Sequence, residues 1–275
     1  MLEARGLSLA LPDRATRRAF RAPALLPILR DIDLQLAAGE SLGIVGESGS
    51  GKTSLGRTLI RLYRPTGGRL VFDGRDITML AEPQLRPLRQ HMQFIFQDPL
   101  SALNPRQRIA TILTRPLVAF GRAGSTAEAR RRAAALLDRV GLADSLLDRY
   151  PHQLSGGQRQ RIGIARAIAL EPRLVVADEI TSGLDVSTQA QILTLLRTLT
   201  RDLGLALIFI SHNLSTVRIL CDRVLVLQRG ETVETGPCAE VFAAPRHAYT
   251  RLLLESIPLP EIEPGWLDRA AAPVL

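Results

Sequence analysis

A glycine-rich stretch in the first fifth of the chain reads Gly46-Glu47-Ser48-Gly49-Ser50-Gly51-Lys52-Thr53. It fits the pattern G-x-x-x-x-G-K-[ST] at every fixed position. Lys52 is the only lysine among the 35 Lys and Arg residues of the chain. An ammonium group and a guanidinium are not interchangeable where a compact charge must fit between phosphate oxygens and a closely wrapped backbone. The stretch therefore indicates a loop that binds the phosphates of a nucleotide.

The flanking residues supply the context that this pattern requires. The apolar segment Ser41–Val45 predicts a buried strand that runs directly into the loop, and residues 52–62 predict a helix after it. In that arrangement backbone N–H groups of the loop point at phosphate oxygens. Lys52 reaches the β- and γ-phosphates, and the hydroxyl of Thr53 ligates Mg²⁺. We also place Ser54 among the nucleotide-binding residues.

Composition sets the broad class of the protein. The 275 residues are 46% hydrophobic, which is enough to bury a large core in one domain or in a domain with a subdomain. A net charge of +8 permits nucleic acid, anionic lipid surfaces or anionic ligands as partners. Seven Phe, three Tyr and one Trp are few for a surface that stacks on bases. The run Arg130-Arg131-Arg132 lies in an Ala-rich stretch and is expected to be a solvated helix face.

Cysteine content and hydropathy bear on the cellular compartment of the protein. Two isolated cysteines, Cys221 and Cys238, form neither a disulfide framework nor a zinc site and fit a reducing compartment. No signal peptide is expected from the first residues. The best apolar run, residues 203–210, is too short to cross a bilayer.

Apolar strands alternate with helical segments along most of the chain. This alternation predicts an α/β phosphate-loop NTPase core with a mainly parallel sheet. Residues 1–40 predict short strands of an N-terminal antiparallel β subdomain with a polar insertion near 13–21. Residues from about 100 to 155 are rich in Leu, Ala and Arg at helical spacing and predict an inserted helical subdomain. A short helix is expected around 247–256, before a Pro-rich tail at 259–275.

Two acidic residues end another predicted strand. The segment Leu174-Val175-Val176-Ala177 is apolar and runs into Asp178 and Glu179. After a phosphate loop, the first carboxylate would hold Mg²⁺ through water, and the second could polarise an attacking water. Without the phosphate loop, an ordinary pair of turn acids would explain the pattern equally well.

A third motif is Leu154-Ser155-Gly156-Gly157-Gln158, which precedes a predicted helix. The hydroxyl of Ser155, the glycine N–H groups and the helix N-terminus together form a second anion site. Ser155 is equally suited to cap the helix, and both roles can hold at once.

With these motifs in order, the chain resembles the nucleotide-binding subunit of an ATP-binding cassette (ABC) transporter. The resemblance covers residues 1–258, with the helical subdomain inserted at about 100–155. It identifies the motifs above as the Walker A loop, the Walker B strand and the signature. It adds the Q-loop residue Gln97, the D-loop residue Asp185 and the switch histidine His212.

The resemblance implies a role for each of these residues. Two subunits face each other head to tail, and ATP lies between the Walker A loop of one and the signature of the other. Glu179 is then the catalytic base, and His212 contacts the γ-phosphate and holds the attacking water. Gln97 approaches Mg²⁺ and the water, so Thr53, Gln97 and Asp178 form the metal set. ATP and Mg²⁺ are the implied cofactors, and Asp185 links the two subunits.

One family feature has no counterpart in the sequence. An aromatic residue usually stacks on adenine, at a position that falls near Ala10 or Leu11, and neither is aromatic. Phe20 is the nearest aromatic candidate. The residue that stacks on adenine is therefore left unassigned.

Two segments resemble the dipeptide, oligopeptide and nickel importer branch. They are residues 96–106 around the Q-loop and residues 245–258 at the C-terminal end. The branch implies two membrane permease subunits, a second ATPase subunit of the same or a paralogous chain, and an extracytoplasmic solute-binding protein that acts indirectly. It places the chain peripherally on the cytoplasmic face of the inner membrane. Some members carry a cysteine cluster near this tail, and with Cys238 alone we expect no iron–sulfur cluster.

Two alternative functions remain open from the sequence. A soluble ABC-type ATPase acting on nucleic acid, ribosomes or another complex agrees with the basic charge. Such proteins usually have tandem cassettes or a long coiled-coil insertion, so no nucleic-acid partner is expected. A binding module with a degenerate ATP site is the other alternative, and Lys52, Asp178, Glu179 and His212 argue against it. The cargo is not specified, and peptides, nickel or another small solute remain possible.

Overall fold

The computed structural model describes residues 1–13, 24–98 and 102–256. Ten strands lie in these ranges: β1 Leu2–Pro12, β2 Leu25–Leu36, β3 Ser41–Val45, β4 Gly67–Phe72, β5 Arg75–Asp76, β6 Met92–Ile95, β7 Leu174–Asp178, β8 Ala206–Ile210, β9 Arg223–Gln228 and β10 Glu231–Pro237. The same ranges hold the following α-helices: α1 Lys52–Leu59, α2 Glu82–Arg89, α3 Ile109–Ala119, α4 Thr126–Arg139, α5 Gly156–Ile168, α6 Val186–Leu203, α7 Leu214–Leu220, α8 Cys238–Ala243 and α9 Ala248–Glu255.

The strands form two sheets. An antiparallel sheet has the order β2-β1-β4-β5, and a six-stranded sheet has the order β10-β9-β3-β8-β7-β6. Strands β9, β3, β8, β7 and β6 run parallel, and β10 is added antiparallel at one edge. This confirms the predicted fold class, including the N-terminal antiparallel sheet.

The central strands are buried on both faces. Strands β3, β7 and β8 have five residues each, and all of them are buried. Along β7, Leu174 and Val176 join the core between the two sheets, while Val175 and Ala177 join the core under the helices. This alternation follows from the two-residue period of a strand, and it explains why the strands read as continuous apolar runs.

The N-terminal strands differ from the prediction. They are not short: β1 has 11 residues and β2 has 12. Register shifts between Ala4 and Leu7, and again between Leu7 and Ala10, interrupt the alternation that would have marked one long strand. The predicted polar insertion at 13–21 lies almost entirely outside the described residues.

Capping residues set the start of two helices. The Ser155 hydroxyl accepts from Gln158 N, so α5 begins at Gly156, inside the motif that was predicted to precede it. The Asp185 carboxylate accepts from Thr188 N, so α6 begins at Val186.

Helices α3 and α4, with two 3₁₀ turns after them, form the helical region between β6 and α5. Arg130, Arg131 and Arg132 lie on the exposed face of α4, as expected. The domain limits at 155 and 258 stay predictions, and the Pro-rich tail lies outside the described residues. Within those residues, no helix combines the length and apolarity needed to span a membrane.

Candidate functional site

The glycine-rich loop joins β3 to α1 and depends on glycine at its close approaches. A Cβ on Gly46 would lie 2.1 Å from the carbonyl oxygen of Leu227 in β9, and Gly46 has a φ of +150°. Gly51 precedes α1 with a φ of +104°. Only glycine adopts such backbone conformations without strain. The loop therefore wraps closely against the sheet, as the pattern predicted.

Lys52 points back into the loop. Its Nζ donates to the carbonyl oxygens of Gly46 and Glu47, each at 2.7 Å, and the residue is 5% exposed. Burial lowers the pKa of Lys52, and the nearby carboxylates of Glu179, Asp178 and Glu47 oppose that shift. An ammonium has three donors. The loop carbonyls occupy two of them, which leaves one for a phosphate oxygen.

The remaining loop residues divide into a rim and a floor. Glu47, Ser48 and Gly49 are exposed, whereas Ser50 is buried. The Ser50 hydroxyl is buried without a hydrogen-bond partner, which is uncommon for a polar group in a folded protein. Ser54 follows in the first turn of α1. The floor of the loop thus holds a polar atom whose bonding capacity is unused.

Thr53 and Asp178 meet at the carboxyl end of β7. Thr53 Oγ1 donates to Asp178 Oδ1 at 2.9 Å, and Asp178 is 2% exposed. Burial raises the pKa of Asp178; the Thr53 hydrogen bond lowers it, and the charge of Glu179 raises it further. Hydroxyl and carboxylate oxygens are the hard ligands that Mg²⁺ prefers.

Glu179 lies between the two other predicted catalytic residues. Gln97 Nε2 donates to Glu179 Oε2 at 2.9 Å. His212 Nδ1 lies 3.5 Å from Glu179 Oε1. Glu179 has a φ of +47°, and its N–H donates to the carbonyl of Ile210 in β8. A non-glycine residue in this conformation is held there by its surroundings and is often found at a functional site.

The signature residues lie apart from this cluster. Gln158 Oε1 accepts from Ser155 N at 3.0 Å, which completes a capping box at the start of α5. A Cβ on Gly157 would lie 2.7 Å from Thr188 Cγ2, so the segment packs against the start of α6. Among the described residues, no hydrogen bond joins 155–158 to the phosphate loop.

Asp185 has a local role in the structure. Its carboxylate accepts from the backbone N and the hydroxyl of Thr188, and these two hydrogen bonds lower the pKa of Asp185. The residue thus caps α6, next to the signature.

Two contacts to the phosphate loop were not predicted from the sequence. The N–H of Glu47 donates to the hydroxyl of Tyr249 in α9 at 2.9 Å, across 202 positions. A second contact comes from the β9–β10 turn, where Gly230 N donates to the carbonyl of Ser50. Neither has a spacing or a motif that would connect it with the loop.

The adenine site stays unassigned. Ala10 and Leu11 lie in β1, as the register assumed. Phe20 lies outside the described residues, as do residues 99–101 of the Q-loop region.

The sequence profile of the ABC transporter family matches residues 29–182. This chain belongs to that family. A second profile, the oligopeptide/dipeptide transporter C-terminal region, matches residues 233–273. The family and the site geometry make the chain an ATP-binding, ATP-hydrolysing subunit.

Named relatives agree with the family assignment. The oligopeptide transport ATP-binding protein OppF of Escherichia coli is 45% identical over 242 residues, which cover 88% of this chain and 72% of OppF. A provisionally named peptide import ATP-binding protein of Brucella ovis is 49% identical over 238 residues, 86% of this chain and 75% of that protein.

Solved structures share the fold. A dimer of the ATP-binding cassette MJ0796 in a post-hydrolysis state, bound to ADP and Pi, has a TM-score of 0.76 and 28% identity, covering 86% of this chain and 99% of that one. The cbiO1 protein of Clostridium perfringens, part of the ABC transporter complex cbiONQ, has a TM-score of 0.74 and 28% identity, covering 88% and 90%.

Proposed function

We propose that this chain hydrolyses ATP to drive peptide import through a membrane permease. The observation that carries the proposal is the meeting of Gln97, Glu179 and His212 at one sheet edge, in a chain whose C-terminal region matches the oligopeptide/dipeptide profile. The names of the OppF and Brucella relatives support peptides as cargo over nickel.

ATP binds with its phosphates in the glycine-rich loop. Backbone N–H groups of the loop and of the first turn of α1, apart from those of Glu47 and Ser50, suit phosphate oxygens, as do the free donor of Lys52 and the unpaired hydroxyl of Ser50. Because Lys52 is buried, its charge acts in a poorly screened environment.

Mg²⁺ fits the groups beside the loop. Thr53, Asp178 and Gln97 offer hydroxyl, carboxylate and amide oxygens. The described residues contain no group of three or more His, Cys, Asp or Glu side chains able to hold a metal. A small number of protein ligands is enough for Mg²⁺, because this ion keeps several waters and binds substrate phosphates. When bound, Mg²⁺ neutralises phosphate charge.

Glu179 acts as the general base. Its two carboxylate oxygens face Gln97 and His212, which fixes the direction in which the carboxylate can accept a proton from water. Gln97 approaches the water and the metal, and His212 contacts the γ-phosphate. His212 is 63% exposed, so it can reach a bound nucleotide without rearrangement of the core.

A second ATPase subunit completes the site. Ser155, Gly156, Gly157 and Gln158 are separate from the chain's own phosphate loop, and a helix N-terminus favours anions. We assign them to the ATP held by the partner subunit, which is either the same chain or a paralogue. Loss of the γ-phosphate contacts after hydrolysis then lets the dimer open.

A groove of about 510 Å³ offers a place for the permease. It lies between the sheet and the helical region, and its lining includes Phe94, Phe96, Ile112, Arg115, Pro116 and Arg166. A short cytoplasmic helix of one permease subunit would dock here, and the second ATPase subunit would hold the other permease. This arrangement puts the chain on the cytoplasmic face of the inner membrane, and an extracytoplasmic binding protein selects the peptide.

The test is a tagged pull-down from detergent-solubilised native membranes, with every co-purifying chain identified. We expect two polytopic permeases and an ATPase subunit. The tagged Lys52→Ala variant should recover the same permeases, since none of the residues that line the groove belongs to the phosphate loop. Recovery with ribosomes or nucleic acid and without permeases would support the soluble alternative instead.

A further inference from the structure

Tyr249 lies 202 positions from the phosphate loop and contacts it directly. The residue is 5% exposed, and its hydroxyl accepts the N–H of Glu47 at 2.9 Å. Burial raises the pKa of Tyr249, the Glu47 hydrogen bond lowers it, and the Glu47 charge raises it further. The phenol is therefore neutral at physiological pH.

The start of α9 is fixed by β10. The carboxylate of Glu234 accepts from Arg246 N at 2.8 Å and from His247 N at 3.1 Å. His247 Nδ1 in turn accepts from Tyr249 N at 3.1 Å and caps the helix. Because Glu234 of β10 holds the start of α9 in place, the Tyr249 hydroxyl has a defined position.

The contact acts on the peptide group that also holds Lys52. The N–H of Glu47 and the C=O of Gly46 belong to one planar peptide unit. Tyr249 binds its N–H, and the Lys52 ammonium binds its C=O at 2.7 Å. Rotation of this unit would therefore break both contacts together.

We propose that Tyr249 is a positioning residue for ATP, which acts by fixing the Gly46–Glu47 peptide and, through it, the Lys52 ammonium. Tyr249 and Glu234 both lie in the segment matched by the oligopeptide/dipeptide C-terminal profile. The C-terminal region thus holds the phosphate loop in its binding conformation. This inference rests on the ATP site of the proposed function.

Tyr249→Phe tests the inference, because it removes only the hydroxyl. Without the hydroxyl, the nucleotide-free phosphate loop samples other conformations. Nucleotide binding must then restore the conformation that holds the phosphates. We expect the Kd for ATP and for ADP and the KM for ATP to rise about three- to tenfold, the scale of one lost hydrogen bond, while kcat stays within about twofold. A merely structural role would not split KM from kcat.

Tyr63→Phe is the matched control. The Tyr63 hydroxyl accepts from Arg57 at 2.9 Å, and among the described residues it forms no hydrogen bond with the phosphate loop, so this variant loses a hydroxyl contact of the same kind. Its ATP affinity should equal that of the wild type. Equal affinity of Tyr249→Phe and wild type, or equal losses in both variants, would overturn the proposal. A wild type that binds no ATP would instead contradict the proposed function.

Amide hydrogen exchange gives a second measurement that does not depend on turnover. The Glu47 amide should exchange slowly in the wild type and faster in Tyr249→Phe, while the amides of α1 keep their protection. Unchanged exchange at Glu47 would overturn the proposal, even if the variant proved less stable overall.

Discussion

Gln97 and Glu179 are joined by a 2.9 Å hydrogen bond between side chains that are 82 positions apart in the sequence. The register of the sheet explains why they meet. Ile95 of β6 pairs with Ala177 of β7 in parallel, and each catalytic side chain lies two residues beyond its member of that pair. Asp178 pairs with Ile210 of β8, which brings His212 to the same edge. The carboxyl ends of parallel strands thus assemble the site.

Glu179→Gln should abolish turnover while ATP binding is retained. The amide keeps the size of the side chain but cannot take a proton from water, so kcat should fall by about 100-fold or more. The closed dimer should accumulate with ATP, as measured by size-exclusion chromatography. The control Glu240→Gln changes an exposed glutamate and should hydrolyse ATP at the wild-type rate. Unchanged steady-state hydrolysis in Glu179→Gln would exclude Glu179 as the base.

Lys52→Arg should lose ATP binding although the charge is conserved. The site is 5% exposed and is closed by two carbonyl contacts, so the larger guanidinium cannot fit without moving the loop. We expect the Kd for ATP, measured by calorimetry, to rise by about tenfold or more. The reverse exchange at an exposed site, Arg201→Lys, is the control and should not alter binding. Retained affinity in Lys52→Arg would contradict the assigned role.

Asp178→Asn should stabilise the nucleotide-free protein at neutral pH. The folded pKa of Asp178 is raised, chiefly by burial, so its charged form opposes folding. The wild type regains that stability as the pH falls through the folded pKa, and below the unfolded pKa the advantage of the variant should vanish. Chemical unfolding of both proteins across acidic pH measures the difference. A variant that is less stable at neutral pH would contradict the sign.

Asp76→Asn is the control for that series and has the opposite sign. Hydrogen bonds from Thr78, and then from Arg69, lower the pKa of Asp76 to about 2. Its carboxylate therefore contributes stability above the unfolded pKa, and this contribution is lost as the pH falls toward 2. The variant should be less stable at neutral pH, and the difference should shrink on acidification.

Gly43→Ala and Gly163→Ala should change stability in opposite directions. A Cβ on Gly43 would lie 2.3 Å from Val217 Cγ1, in a core where a β-branched side chain has little freedom. We expect a loss of about 1–3 kcal/mol in the free energy of unfolding. Gly163 lies within α5 with open space around its Cβ position, so alanine should add about 0.5–1 kcal/mol. Thermal and urea unfolding measure both changes. If Gly43→Ala is as stable as the wild type, the side chains around Val217 shift to accommodate the added methyl group, and the expected loss is contradicted.

The parts of the fold that could be predicted depend on local patterns. The β3–loop–α1 unit and β7 follow from a short motif and from apolar runs, and the structure has them within a few residues. Helix α2 was missed because Pro87 argues against a helix, although the last turn of α2 accommodates it; Pro83 lies in the first turn, where proline is tolerated. The length of β1 was missed because its bulges hide the alternation.

The candidate site could likewise be predicted only where a motif or the family resemblance marks its residues. The meeting of Gln97, Glu179 and His212 came with the family resemblance, and the register of the sheet accounts for it. Tyr249 reaches Glu47 through tertiary packing that no sequence period encodes, so only the structure reveals that contact. The roles of the individual site residues stay predictions for the variants above.

Peptide uptake tests the central claim most directly. Labelled tripeptide uptake and nickel uptake would be measured in source cells that lack this chain, complemented with wild type, with Glu179→Gln or with Glu240→Gln. The account predicts that wild type and Glu240→Gln restore peptide uptake, that Glu179→Gln does not, and that nickel uptake is the same in every strain. Normal peptide uptake without the chain, or restoration of nickel uptake alone, would contradict the assignment of this protein as the ATPase of a peptide importer.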